Sequence, residues 1–216
     1  MPIFTRGNER IYFSHIPKTA GSAVYVLFLR NGWSLSNVDT GLGPRRIGHR
    51  LHKEFGITDI PMEGDRGDFP DSIQHATVDI WQRWGPFTDT FAVVRDPLKR
   101  FESAMKYQYS LHKRHKTLAE FRDTQISKIN RRHDRKPTAI NVHFRRQVDF
   151  VTPQTRIVYF EDRFMEKLAL TYGLKQPNVE KINVAPKALD PVLTPEVETW
   201  ARNFYALDFE RFNYGV

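Results

Sequence analysis

Cysteine is absent from the 216 residues, which removes disulfides, thiolate nucleophiles and zinc-thiolate centres from consideration. Long apolar runs are absent too. The longest, Ala23 to Leu29, holds seven residues, against the roughly 18 to 20 that a membrane-spanning helix needs. The first ten residues contain neither an apolar h-region nor a small-residue cleavage site, so nothing marks the chain for secretion and the expected location is the cytoplasm, away from membranes. Acidic residues are scarce in one region. Arg95 to Arg146 carries 15 basic against 5 acidic side chains, net +10, whereas the whole chain is only +8. Such an imbalance implies an anionic partner, be it a phosphorylated cofactor, an acidic glycan or a nucleic acid, unless the segment is simply a solvated helical face. What is present in quantity is core material: 40% hydrophobic and 13% aromatic residues. At this length it predicts one α/β domain spanning residues 1–216.

Three short apolar runs read as buried strands: Ile11 to Ile16, Thr90 to Val94 and Thr155 to Phe160. Each is followed by a helical pattern. Ser22 to Arg30 is apolar at helical spacing and stops at Asn31-Gly32. Asp96 and Pro97 are the cap and first position of a helix running through about Tyr109. Asp162 to Tyr172 closes at Gly173, and a last helix starts at Thr194-Pro195-Glu196 with Val197, Trp200, Ala201 and Phe204 on one face. A further helix follows His75, with Thr77 as cap and Ile80, Trp81 and Trp84 packing. Alternating strands and helices predict a central parallel sheet flanked by helices on both faces. Ser34 to Ser72 reads as a long substrate-side excursion with one short helix near Arg50 to Phe55. The basic segment, about 106–146, reads as helical in pieces.

Two loops carry chemistry. His15-Ile16-Pro17-Lys18-Thr19-Ala20-Gly21-Ser22 sets a glycine, a lysine and two hydroxyls between a buried strand and a helix N-terminus, where main-chain N–H groups and the positive dipole end suit an anion. Arg95-Asp96-Pro97-Leu98-Lys99-Arg100-Phe101-Glu102-Ser103 repeats the topology, with Arg95 at the strand end and Ser103 about two turns into the helix. The first loop lacks the full GxxxxGK[ST] pattern, and no Mg²⁺-holding Asp is evident at another strand end.

As a pair, the two loops resemble the sulfotransferases that use PAPS (3′-phosphoadenosine 5′-phosphosulfate), above all the branch of carbohydrate O-sulfotransferases and their soluble bacterial relatives. Gln74-His75-Ala76, His143 to Gln147, Tyr159 to Asp162 and Asn183 to Lys187 look like further blocks of that family, so the resemblance runs over nearly the whole chain. It implies a single-domain, P-loop-like sulfotransferase fold and sulfuryl transfer from PAPS to an acceptor hydroxyl, expected on a carbohydrate. Residue by residue, it places Lys18, Thr19, Ala20, Gly21, Ser22 and Ala23 at the 5′ end of PAPS, Arg95 and Ser103 at its 3′-phosphate, and Lys187 also on the cofactor. Ala23 stands where the family often has Ser or Thr, and Ala185 where it often has Ser, so backbone N–H groups would serve there.

Sulfuryl transfer requires cationic stabilisation of the leaving oxygen, for which Lys18 is the candidate, and a base for the acceptor hydroxyl. A neutral histidine suits the second task, and His75 and His15 have the best context among eight. His75 is expected to be held neutral by the dipole of the helix after it. His49/His52 and His112/His115 have i, i+3 spacing but no third ligand nearby, so both read as surface pairs and no metal is expected. The rival enzymatic reading is a small-molecule kinase using the Lys18 loop for a nucleotide. A nucleic-acid or polyanion-binding module ranks behind it, because the basic segment contains no recognised nucleic-acid motif.

Overall fold

The structure, a computed structural model, describes residues 1–38, 47–58, 60–62, 73–111, 117–133, 135–175 and 191–215. By internal contacts the chain divides into two units, Met1–Val94 with Asp149–Asn183, and Arg95–Val148 with Val184–Val216.

The first unit is built on a sheet of five strands: β1 (Ile3–Arg6), β2 (Glu9–Ser14), β3 (Ser34–Ser36), β4 (Asp89–Val94) and β5 (Arg156–Tyr159), in the spatial order β3-β1-β2-β4-β5. β2, β4 and β5 are the three strands expected, and they pair in parallel. The expectation of a wholly parallel sheet is corrected by β1 and β3, which add an antiparallel edge. The physical reason lies at Gly7-Asn8. Arg6 pairs with Glu9 across these two residues, and Gly7 takes φ 57° at the first position of a two-residue hairpin, where glycine has no Cβ to oppose it.

Side chains alternate across this sheet, and each face buries its own set. Phe4, Ile11, Phe13, Phe91, Val93 and Val158 pack with α1 (Gly21–Arg30) and α6 (Phe164–Tyr172). Phe4 stacks on Phe28 of α1 at 4.1 Å between ring centroids. On the other face Ile3 and Tyr12 pack with Ala76 and Trp81, the latter from α3 (Val78–Trp81). α2 (Ile47–Phe55) lies in the excursion where a short helix was expected.

The second unit is helical: α4 (Pro97–Leu111), α5 (Leu118–His133), α7 (Pro195–Phe204) and α8 (Ala206–Arg211), with short 3₁₀ turns over 137–150. Leu98, Phe101, Met105, Phe121, Phe144, Ala201 and Tyr205 centre its core. α4 starts as its sequence dictates, with Asp96 Oδ1 accepting from Lys99 N at 3.0 Å. Thr194 caps α7 through Val197 N at 3.4 Å. α5 runs unbroken over 16 residues. Among the described residues no helix is long and apolar enough to cross a membrane.

Candidate functional site

β2 ends at Ser14, whose buried hydroxyl donates to the carbonyl of Phe150 at 2.6 Å. The chain then turns sharply, with Ile16 N donating to Ser14 O at 3.0 Å. Lys18 and Ala20 both adopt φ 71°. A non-glycine residue in this left-handed region costs on the order of 1 to 3 kcal/mol, and such strain concentrates where a loop holds a ligand. Left-handed residues within a turn swing successive N–H groups into a concave nest suited to an anion. Thr19 is fully buried and donates its hydroxyl proton to Ile16 O at 2.8 Å, so it braces the loop from inside. No side chain caps α1. Ala23 N and Val24 N bond to Ala20 O, and the amides of Gly21 and Ser22, as the first of a ten-residue helix, have no acceptor within it. Lys18, Ala20, Ser22 and Ala23 are all partly buried.

His15 sits directly over this loop. A Cβ built on Gly21 would lie 1.8 Å from His15 Nε2, so only glycine leaves room for the imidazole. The ring stacks on Phe13, and its Nδ1 lies 2.5 Å from the Tyr25 hydroxyl. His75 joins the group: its ring centroid is 4.4 Å from that of His15, and its Nδ1 donates to the His15 carbonyl at 2.9 Å. The two histidines singled out from the sequence thus form one buried cluster at the end of β2, each 8% exposed.

His75 is held neutral, but not by the expected cause. It ends a 3₁₀ turn, Ile73–His75, and the helix beyond it, α3, has only four residues. Thr77 occupies the cap position with its hydroxyl turned to Asp79 Oδ1 at 2.6 Å. Burial is what lowers the His75 pKa, to about 4, against the opposing bond to His15 O and with help from the positive charges of the Met1 amino group and Lys18. The linkage follows directly. The unfolded chain takes up the proton near pH 6.5 and the folded one only near 4, so the stability contributed by neutral His75 is complete above about pH 6.5 and is lost as pH falls toward 4. The full loss is on the order of 3 kcal/mol. Urea midpoints measured from pH 7 to pH 4 should fall more steeply for the wild type than for His75→Gln; parallel slopes would refute the account.

In the second unit, Arg95 follows β4 and its main chain is clamped from both sides by one side chain. Gln147 Oε1 accepts from Arg95 N at 3.0 Å and Gln147 Nε2 donates to Arg95 O at 2.8 Å. Gln147 is fastened in turn by Asp208 of α8, fully buried, whose carboxylate accepts from Gln147 N at 2.9 Å and Val148 N at 3.0 Å. Charge-assisted bonds of this kind contribute about 1.5 to 3 kcal/mol each. Ser103 lies on α4 and is partly buried.

The basic segment divides into two populations. Arg100 is fully buried and donates to the carbonyls of His143 at 3.2 Å and Arg145 at 2.5 Å. Arg145 donates to the carbonyls of Ile140 and Thr138, Arg146 to that of Phe204, and Arg132 to that of Ala139. Arg100, Arg145 and Arg132 satisfy carbonyls of the irregular 137–150 stretch and Arg146 one at the end of α7, so part of the charge that suggested an anionic partner has a structural task. Arg131, Arg135 and Lys136 are exposed, as Arg132 is beside its bond to Ala139 O.

The first loop and both histidines therefore share the first unit, and Arg95 and Ser103 belong to the second. Lys187 and the rest of Asn183 to Lys187, His112, His115, and much of the excursion fall outside the described residues. Among the described residues no group of three or more His, Asp or Glu is arranged to hold a metal ion. The sequence reading did not single out Tyr25, Gln147 or Asp208. Gln147 lies in the His143 to Gln147 block, but Tyr25 is one of several apolar-face residues of α1 and Asp208 one of 25 acidic residues, so neither carries a local signal. Compared with family models, with curated proteins and with solved structures, the chain finds no match in any of the three.

Proposed function

We propose that the protein is a PAPS-dependent sulfotransferase that transfers a sulfuryl group to a hydroxyl of an anionic, carbohydrate-type acceptor. The observation that carries this reading is the Lys18–Ser22 loop: two non-glycine residues at φ 71° ahead of an uncapped helix start, with a lysine in the loop and two buried histidines against it. Its donors, a cation, a hydroxyl and main-chain amides, are those an anionic sulfonate or phosphate group requires.

PAPS, when bound, supplies an activated sulfuryl group on a phosphate leaving group. The Ser22 hydroxyl, together with the amides of Gly21 and Ser22, would hold the anionic oxygens, whereas the Ala23 amide expected to serve there is bonded to Ala20 O, and Lys18 would offset charge growing on the leaving oxygen. Arg95 and Ser103 would hold the 3′-phosphate, Lys187 would add a further contact, and Gln147 and Asp208 would keep the Arg95 main chain fixed. His75, with Nδ1–H committed to the His15 carbonyl, presents Nε2 as the lone pair that takes the acceptor proton. An anion on the loop would offset the Lys18 charge that now weighs against protonation of His75, making it a better base with substrate bound. Arg131, Arg135 and Lys136 would attract an anionic acceptor, with apparent affinity falling as salt rises.

The deciding experiment compares two nucleotides. Arg95→Ala should weaken binding of PAP (3′-phosphoadenosine 5′-phosphate) by about tenfold or more, the worth of a charge-assisted contact. It should leave adenosine 5′-phosphate unchanged, since only PAP has the 3′-phosphate. Equal losses by calorimetry for both ligands reject the assignment, and failure of the wild-type protein to bind PAP rejects the function.

A further inference from the structure

His15 and His75 are both buried at the same loop, yet one proton acceptor suffices for the reaction proposed above, and their hydrogen bonds give them opposite tautomers. The Tyr25 hydroxyl is fully buried on α1, and among the described residues its hydrogen bond is to His15 Nδ1, at 2.5 Å. If Nδ1 carried the proton, the phenolic hydrogen would be left buried with no acceptor among the described residues, an arrangement native proteins avoid. A phenol is also bound to keep its proton here, because burial raises the Tyr25 pKa well above 10. The hydroxyl therefore donates, Nδ1 accepts, and the neutral ring carries its hydrogen on Nε2. That nitrogen is the atom over Gly21, at the start of α1. At His75 the order is reversed. Nδ1 faces a carbonyl, which can only accept, so the hydrogen is on Nδ1 and the lone pair on Nε2.

We infer that Tyr25 is a positioning residue that fixes His15 as its Nε2–H tautomer, making His15 a neutral hydrogen-bond donor to the anion held by the Lys18–Ser22 loop and leaving proton acceptance to His75. The inference rests on the donor-loop reading and assigns to that site a residue about one helical turn beyond Gly21. It also explains why Gly21 and Tyr25 belong together: one opens the space into which the imidazole fits, the other sets which of its nitrogens is the donor. A neutral donor contributes at the loop without adding a second positive charge beside Lys18, which a protonated His15 would do.

The first test uses the wild-type protein alone. With ¹⁵N-labelled histidine, and His15→Gln to assign the signal, the His15 imidazole should show the Nε2–H pattern of ¹⁵N shifts at pH 7. An Nδ1–H pattern or a charged ring overturns the inference. The second test titrates PAP into Tyr25→Phe, a change that keeps the ring and removes the hydroxyl. PAP should bind about five- to tenfold more weakly, the worth of about one hydrogen bond, and the His15 shifts should move toward a mixture of tautomers. His15→Gln, whose side-chain amide offers an N–H, should bind PAP better than His15→Leu. Adding Tyr25→Phe to His15→Gln should cost less than it does in the wild type, because the hydroxyl acts through the imidazole. Additive losses, or wild-type affinity in Tyr25→Phe, overturn the role of Tyr25. If wild-type protein shows the Nε2–H pattern but binds no PAP, the donor-loop reading fails and the anion-donor role of His15 fails with it, while the tautomer assignment stands.

Discussion

Replacing Lys18 with alanine should reduce turnover by about 10²- to 10³-fold, the range seen when a preorganised charge-stabilising donor is removed, while PAP affinity changes far less. The asymmetry is the informative part. An ammonium that met ground state and transition state equally would alter affinity and leave turnover alone, whereas charge on the leaving oxygen grows as the S–O bond breaks, so the contribution of Lys18 grows with it. The structure gives this side chain a strained backbone at φ 71°, partial burial, and enough proximity to depress the pKa of His75. Single-turnover transfer from PAPS, measured beside a PAP titration, separates the two effects. A variant with normal turnover sinks the assignment, and activity abolished by EDTA and restored by Mg²⁺ would favour the kinase reading instead.

His75→Ala should remove most of the activity, on the order of 10²- to 10⁴-fold for a general base, and leave PAP binding close to wild type. Because burial lowers the His75 pKa to about 4, the free enzyme should hold kcat/KM level down to about pH 5 and lose it below, well under the pH 6.5 expected of an exposed imidazole. The pH–rate profile and the variant test different things. An active His75→Ala enzyme removes His75 from the chemistry, whereas an acid limb near 6.5 keeps the residue and refutes its buried, neutral state. Substitution by Gln guards against a collapse of the cluster, since Gln can still donate to the His15 carbonyl that His75 Nδ1 now serves.

Local signals and long-range packing contributed differently to this site. The two strand-loop-helix turns were legible because their determinants are neighbours in sequence: an apolar run ending at a proline or arginine, a glycine or Asp-Pro pair, then a helical pattern. The α/β class followed from their repetition. β1 was not read, although Gly7-Asn8 between Ile3-Phe4-Thr5 and Ile11-Tyr12-Phe13 is a short-range hairpin signal of the usual kind. With β1 missed, the antiparallel edge was missed as well. β3 has three residues and no pattern of its own; it exists because β1 offers it a partner.

The charge of residues 95–146 shows the limit most clearly. Composition reports that fifteen cations lie there but cannot distinguish an arginine that faces solvent from Arg100, which is fully buried and holds the carbonyls of residues 43 and 45 positions away. The sequence by itself determined the strand-loop-helix units and the identity of the polar groups in them, because those depend on interactions within a few residues. Only the tertiary structure decided that His15, Tyr25 and His75 form one cluster, that burial rather than a helix dipole keeps His75 neutral, and that Asp208 reaches Arg95 through Gln147. Each of those depends on which groups are removed from water together, and that is a property of the packed chain rather than of any stretch of it.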